Sequence, residues 1–171
     1  TTRTRRVGRR QRRNLKIVVG GDHAGYLMKG PAIKALERWE HEVTDLGVHT
    51  DTEDADFPDI AQLVCDEIRA GRADKGVIVC GTVVGAAIAA NKVPGIRAAL
   101  CHDVYSAHQC VEHDDVHVLC MGAQIIGIKL AEDILSAFLN AEFSIDEHFR
   151  RRVAKLADME IRAAKELLET N

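Results

Sequence analysis

Cys80 ends the run Val77-Ile78-Val79 and is followed by Gly81, Thr82, Val83, Val84 and Gly85, after which the chain turns alanine-rich from Ala86 to Ala90. A β-branched run of strand type thus ends on a thiol. A short loop with two glycines follows, then a segment of helix type. In an open parallel sheet, ligands bind where strands end and helices begin. A thiol near the positive end of a helix is expected to ionise below its free value of about 8.5. The glycines let backbone N–H groups converge on an anion. Gly-x-x-x-Gly is neither a dinucleotide fingerprint nor a phosphate loop, since no Gly-Lys-Ser/Thr follows. The cradle suits a developing oxyanion such as an enediolate, with Cys80 as the group that moves a carbon-bound proton. Taken alone, the stretch is equally compatible with a tight turn around a buried structural cysteine.

A second reactive stretch is Gly21-Asp22-His23-Ala24-Gly25, directly after the apolar run Leu15 to Val19. Asp22 beside His23 can donate, accept and orient sugar-type hydroxyls. The plainer alternative is a helix-capping aspartate next to an exposed histidine. His102, His108, His113 and His117 fall in one short region. Their spacing matches neither H-E-x-x-H nor a Cys/His zinc pattern, so no metal site is expected.

The elements that must position these groups alternate. Strands are expected at Leu15–Val19, Glu42–Asp45, Lys75–Cys80, Ile96–Cys101 and Val116–Met121. Helices are expected over Tyr26–Trp39, Pro58–Ala70, Gly85–Asn91, Val104–Glu112, Gly127–Asn140 and a charged terminal stretch, Asp146–Leu168. Five strands alternating with helices predict a parallel sheet covered by helices on both faces, with an extra C-terminal helix. That last helix carries Val153, Leu156, Met159, Ile161 and Leu167 for burial, which predicts packing on a second copy: a homodimer, with a tetramer as the alternative.

The 171 residues suggest a single domain from residue 15 onward, and 46 % hydrophobic residues suffice for a core. Residues 1–14 hold seven arginines and no acid, and read as a basic, disordered tail. A net charge of −3 overall and +7 in the tail leaves −10 on the body, a poor nucleic-acid surface. No apolar run approaches the roughly 18 residues needed to span a bilayer, and the N-terminus lacks a signal-peptide pattern. Five cysteines without a C-x-x-C read as free thiols in a reducing cytoplasm.

Several motifs together resemble one family. They are Gly21-Asp22-His23-Ala24-Gly25, Cys80-Gly81-Thr82, Ile88 through Asp103, Tyr105-Ser106-Ala107 and Glu112-His113-Asp114-Asp115. These resemble the type B ribose-5-phosphate isomerases, a family that includes galactose-6-phosphate and allose-6-phosphate isomerases, over about residues 15–155. The resemblance implies a Rossmann-like three-layer α/β/α fold, a homodimer with sites built from both subunits, and a cofactor-free, metal-free aldose–ketose isomerisation through a cis-enediolate. The favoured substrate is ribose 5-phosphate. Alternatives are another sugar phosphate (a tetrose, branched pentose or hexose) and a non-catalytic sugar-phosphate-binding domain. Carried over by position, Cys80 resembles the base between C2 and C1. Thr82, with the amides of Gly81, Val83, Val84 and Gly85, resembles the oxyanion support. Asp22 and His23 resemble sugar-contacting groups, and His113 the ring-opening histidine.

The departures bear on substrate. Val83 stands where Gly-Thr-Gly has its last glycine. A β-branched residue does not readily take positive φ, so a reshaped loop or narrowed pocket is expected. Asp114 stands where asparagine is usual, Phe57 where tyrosine is common, and Gln124 where Gly-x-Arg supplies a phosphate-binding arginine. A second arginine is missing near Glu147-His148, leaving Arg150, Arg151 or Arg152 as a phosphate contact; Arg151 is the expected one. Losing bidentate guanidinium partners weakens dianion binding.

Overall fold

The computed structural model describes residues 14–170. The basic tail expected over residues 1–14 lies, but for Asn14, outside the described residues. Strands β1 (Lys16–Gly21), β2 (Glu42–Asp45), β3 (Lys75–Cys80), β4 (Ala98–Leu100) and β5 (Val118–Gly122) form one parallel sheet in the order β2-β1-β3-β5-β4. Helices α1 (Tyr26–Arg38), α2 (Phe57–Arg69), α3 (Val84–Asn91), α4 (Val104–Asp114) and α5 (Ile128–Asn140) connect or follow the strands, and α6 (Glu147–Glu169) ends the chain. The expected α/β/α fold is observed.

The β-branched runs explain the central strands. Val18, Val19, Val77, Val79 and Val118 are fully buried, as strands covered on both faces require. Alternate residues feed two cores. Ile17, Val19, Val77, Val79, Leu119 and Met121 pack with α1, α4 and α5, and Val18, Ile78, Val118 and Cys120 with α2 and α3. Gly20 and Gly76 are small where a Cβ would press into Val64, at 2.6 and 2.7 Å. These two glycines draw α2 onto the sheet. The fourth strand starts later than expected because the Ile96 N–H is still bonded to the Val93 carbonyl in the preceding turn and the Arg97 N–H goes to the His117 side chain, and the Asn91 side chain brackets Ala98. Its Oδ1 accepts the Ala98 N–H at 2.9 Å and its Nδ2 donates to the Ala98 carbonyl at 2.9 Å.

Every strand ends at the same edge, called here the upper edge. Gly21, Asp45, Cys80, Leu100 and Gly122 stand there. The lower edge holds the strand starts and a charged knot. Arg97 Nη2 pairs with Asp115 Oδ2 at 2.9 Å, and the Arg97 N–H donates to His117 Nδ1 at 3.1 Å. The helix α6 buries none of its residues and touches the body through α4 and through Glu160, which accepts the Gly95 N–H at 3.0 Å. No helix among the described residues is long and apolar enough to cross a membrane.

Burial first, and then the Arg97 guanidinium, push the His117 imidazole down from 6.5 to about 4. A depressed pKa favours the neutral form in the folded state. His117 therefore contributes stability above pH about 6.5, and that contribution is lost as pH falls through about 4. In urea melts, His117→Gln is expected to lose less stability than wild type between pH 7 and pH 4.5. Parallel losses in the two proteins would contradict this.

Candidate active site

Strand register assembles the site. In the β1–β3 pair, Gly20 faces Ile78 and Gly21 faces Val79, so the next residues, Asp22 and Cys80, emerge side by side at the upper edge. Gly25 lets the β1–α1 loop fold back against β3. A Cβ there would overlap the Val79 carbonyl and stand 2.8 Å from the Cys80 amide nitrogen. Within this turn, Asp22 Oδ1 accepts the Gly25 N–H at 3.0 Å, and its other oxygen, Oδ2, accepts the Cys80 thiol at 2.8 Å. Asp22 is only 5 % exposed.

Cys80 alone among the five free cysteines is not buried. Contrary to expectation, its thiol is not acidified. Burial, then the hydrogen bond and negative charge of Asp22, push it up to about 11. The amides of Gly81 and Val83 point at the sulfur and pull the other way, but do not prevail. A partial helix charge of about half a unit is outweighed by a full carboxylate in contact.

The loop after Cys80 takes a left-handed turn at Val83, although the residue is β-branched. Val83 adopts the left-handed conformation, φ 63° and ψ 3°, and caps α3. That costs an L-residue about 1–2 kcal/mol. The Val83 side chain is completely buried in the core beneath α2 and α3, which contributes about 1.5–3 kcal/mol. Burial therefore offsets the strain, which is how a β-branched residue comes to hold a positive φ here. Val83 offers only its backbone at the site, whereas Thr82 and Val84 are exposed. Two neighbours close the cradle. A Cβ on Gly85 would meet the Phe57 ring at 2.7 Å, and one on Gly81 would meet Gln124 Oε1 at 3.1 Å. Gln124 reaches this position because β5 pairs Gly122 with Cys80. His102 Nε2 accepts the Gly122 N–H at 2.9 Å and ties the β4–α4 loop to the same edge.

Not all the expected site residues meet. Asp22, Cys80, Gly81, Thr82, Val83, Val84, Gly85 and Gln124 share the upper edge. His23 lies beside them, exposed, with Nδ1 3.7 Å from Asp54 Oδ1. His113, Asp114 and Arg151 lie elsewhere. Helix α4 leaves the upper edge after β4, and its 11 residues descend about 16 Å. At its foot the Asp114 carbonyl accepts Arg97 Nε at 2.8 Å. The Val116 carbonyl accepts Lys75 Nζ, and Lys75 starts the strand that Cys80 ends. The His113 ring stacks on Phe149 of α6, with centroids 3.9 Å apart and planes at 15°, and Arg151 follows two residues later, exposed. Within one chain, then, the thiol and the arginine cluster of residues 150–152 occupy opposite ends of the sheet.

Charge follows the same division. The upper-edge residues named above include no lysine or arginine. Lys29 is buried next to Gly21, but its ammonium is held by Asp45 at 2.9 Å and by the Val48 carbonyl. Among the described residues, an anion at the cradle would meet backbone amides, a helix N-terminus, the exposed Thr82 and the Gln124 carboxamide, with the Asp22 carboxylate close by. The four clustered histidines disperse to separate partners: His102 to Gly122, His108 to Glu112, His113 to Phe149 and His117 to Arg97. Among the described residues no group of three or more His, Cys, Asp or Glu side chains could hold a metal ion.

Nothing in the residue order points directly to the Asp22–Cys80 contact, the Phe57 ring against Gly85, or Gln124 over Gly81. Each joins residues that are distant in the chain. The signal that could have found the first is the register of two apolar runs, both ending at one edge.

Comparison with known proteins identifies the family. Residues 17–156 match the family described as Ribose/Galactose Isomerase. The D-erythrulose-4-phosphate isomerase 2 of Mycolicibacterium smegmatis is 41 % identical over 131 residues, covering 75 % of this chain and 86 % of that one. The ribose-5-phosphate isomerase B of Escherichia coli is 38 % identical over 136 residues, covering 80 % and 91 %. The structure of Clostridium thermocellum ribose-5-phosphate isomerase B superposes with a TM-score of 0.84 at 40 % identity, covering 86 % of this chain and 99 % of that one. A match across residues 17–156 at this level settles kinship: the chain belongs to the Ribose/Galactose Isomerase family.

Proposed function

We propose that this protein is an aldose–ketose isomerase that interconverts ribose 5-phosphate and ribulose 5-phosphate through a cis-enediolate. One observation carries the reading: the Cys80 sulfur stands at the mouth of an amide-lined cradle, against the Asp22 carboxylate, in a chain of this family. Cys80 moves hydrogen between C2 and C1. The N–H groups of residues 81–85, with the Thr82 hydroxyl, hold the oxyanion that forms at O1. A positioned proton-transfer group contributes about 10²–10⁴ in rate, and an oxyanion donor about 3 kcal/mol. Asp22 and His23 contact sugar hydroxyls. The five free thiols suit a reducing compartment, the cytoplasm.

The active unit is a homodimer. A phosphate dianion requires cations, and among the described residues no lysine or arginine of the same chain is free at the cradle. A second copy placing its α4 and α6 over the upper edge would bring His113, Asp114 and Arg151 to Cys80. The surface for it lies beside the cradle. Val84, Ile88, Leu100, Val104 and Tyr105 are 52, 55, 39, 43 and 73 % exposed, and a groove lined by Val84, Ala87, Ile88, Ala98 and Leu100 runs along the β4 edge. A contiguous apolar face of this kind marks an interaction site.

Gln124 favours a second reading, a four-carbon sugar phosphate. Its carboxamide lies over Gly81 where the resemblance places a phosphate-binding arginine, and the Mycolicibacterium smegmatis relative bears the name of a tetrulose-phosphate isomerase.

A panel of C4 to C6 aldose and ketose phosphates separates these readings. Ribose 5-phosphate is expected to turn over, with Cys80→Ser losing about 10³ in kcat/KM while its melting temperature is kept. Turnover of a C4 substrate alone would favour the second reading. No turnover of any, or full activity in Cys80→Ser, would contradict the assignment. The dimer has its own test. Cys80→Ser and His113→Ala, each poorly active alone, are expected to regain about a quarter of wild-type sites when refolded together, since half the dimers are mixed and hold one intact site. Full activity in His113→Ala would place His113 outside the site, and no recovery from two poorly active variants would contradict a site shared between chains.

A further inference from the structure

We propose that Asp22 is the proton acceptor that arms Cys80: the two side chains share one proton, and its passage from Sγ to Oδ2 creates the thiolate that removes the C2 proton of the sugar. This rests on the isomerase reading above and gives Asp22 a task other than contacting sugar hydroxyls.

The geometry leaves Oδ2 little else to do. Asp22 is a carboxylate buried to 5 % exposure, with Oδ1 fixed by the Gly25 N–H at 3.0 Å and Oδ2 directed at the sulfur at 2.8 Å. The groups bearing on the thiol are few. From the β1–α1 loop there is Asp22; from its own loop, the Gly81 and Val83 amides; from β5, Cys120, a fully buried thiol raised far above its ordinary range by desolvation. None is a cation that would hold a resting thiolate. A thiol pushed up to about 11 presents, at pH 7.5, on the order of one thiolate in several thousand to the sugar. Losing the proton to solvent would leave two negative charges in contact. Passing it to Asp22 exchanges a thiol and carboxylate for a thiolate and carboxylic acid, so the local charge stays at −1. The Gly81 and Val83 N–H groups already point at the sulfur and stabilise the thiolate once formed.

The cycle balances. Asp22 takes the thiol proton. The thiolate takes the C2 proton of the open-chain aldose. The C2–H electron pair forms the C1–C2 double bond, and the carbonyl π pair moves to O1, which the cradle amides hold. The O2 hydroxyl proton passes to O1 across the cis-enediolate. The thiol returns its proton to C1 as the C2 carbonyl forms, and Asp22 gives its proton back to the sulfur.

Iodoacetamide alkylation of Cys80, followed by peptide mass mapping with Cys80→Ser as the blank, tests the pairing without any sugar. Its failure is therefore distinct from failure of the isomerase assignment. In wild type the rate should still be rising above pH 10. In Asp22→Asn the midpoint should fall by at least one pH unit, making alkylation at pH 8 about tenfold faster, while kcat/KM drops about 100-fold or more. An unchanged alkylation profile, or turnover kept in Asp22→Asn, would overturn the proposal. A wild-type measurement covers the case in which the variant does not fold. If the proton goes to Asp22, the reactive state is an isomer of the resting state, so kcat/KM is flat from pH 7 to 9. A climb of about tenfold per pH unit would mean loss to solvent and would overturn it.

Discussion

The parallel pairing of β1 with β3 is the constraint on which the rest of the site depends. Two runs of valine and isoleucine, buried on both faces, lock in a register that places Gly21 opposite Val79. A slip of one residue would turn each side chain to the opposite core, an error that two separate apolar clusters make costly. The register therefore delivers Asp22 and Cys80 to the same point with a precision that neither loop could achieve alone. Gly25 completes the approach because any side chain there would collide with the end of β3.

A second constraint acts on the cradle. The turn from β3 into α3 needs a residue in the left-handed region, and here that residue is valine. The strain is local, while the compensation is tertiary: the isopropyl group fills space between α2, α3 and the sheet. A functional loop can hold a residue that propensity argues against when its side chain is part of the core. The amides that aim at the sulfur are consequences of the same turn.

Much of this was legible in the residues. Strand runs ending at Val19 and Cys80, amphipathic helices and the alternation between them predicted the sheet, because burial on both faces leaves an unambiguous pattern. Cys80 and its glycine-rich loop were visible as chemistry at a strand end. The direction of the thiol's shift was not, because the helix terminus is read from neighbours in sequence, whereas the opposing carboxylate comes from 58 residues away. Val83 was misjudged for the same reason, since intrinsic preference carries no information about a core contact with Val18 or Ala86. The grouping of His113, Asp114 and Arg151 with Cys80 came from resemblance alone. A single chain holds them at opposite edges because α4 must traverse the whole sheet to reach β5.

The account turns on Cys80 carrying hydrogen as a proton rather than leaving it to move as hydride. Isomerising ribose 5-phosphate in deuterium oxide and reading the ribulose 5-phosphate by NMR and mass spectrometry tests this most directly. The account predicts deuterium at C1 in wild type, because the thiol proton exchanges with solvent while the enediolate is held, and none in Cys80→Ser. Ketose formed by wild type with only protium at C1 would contradict it.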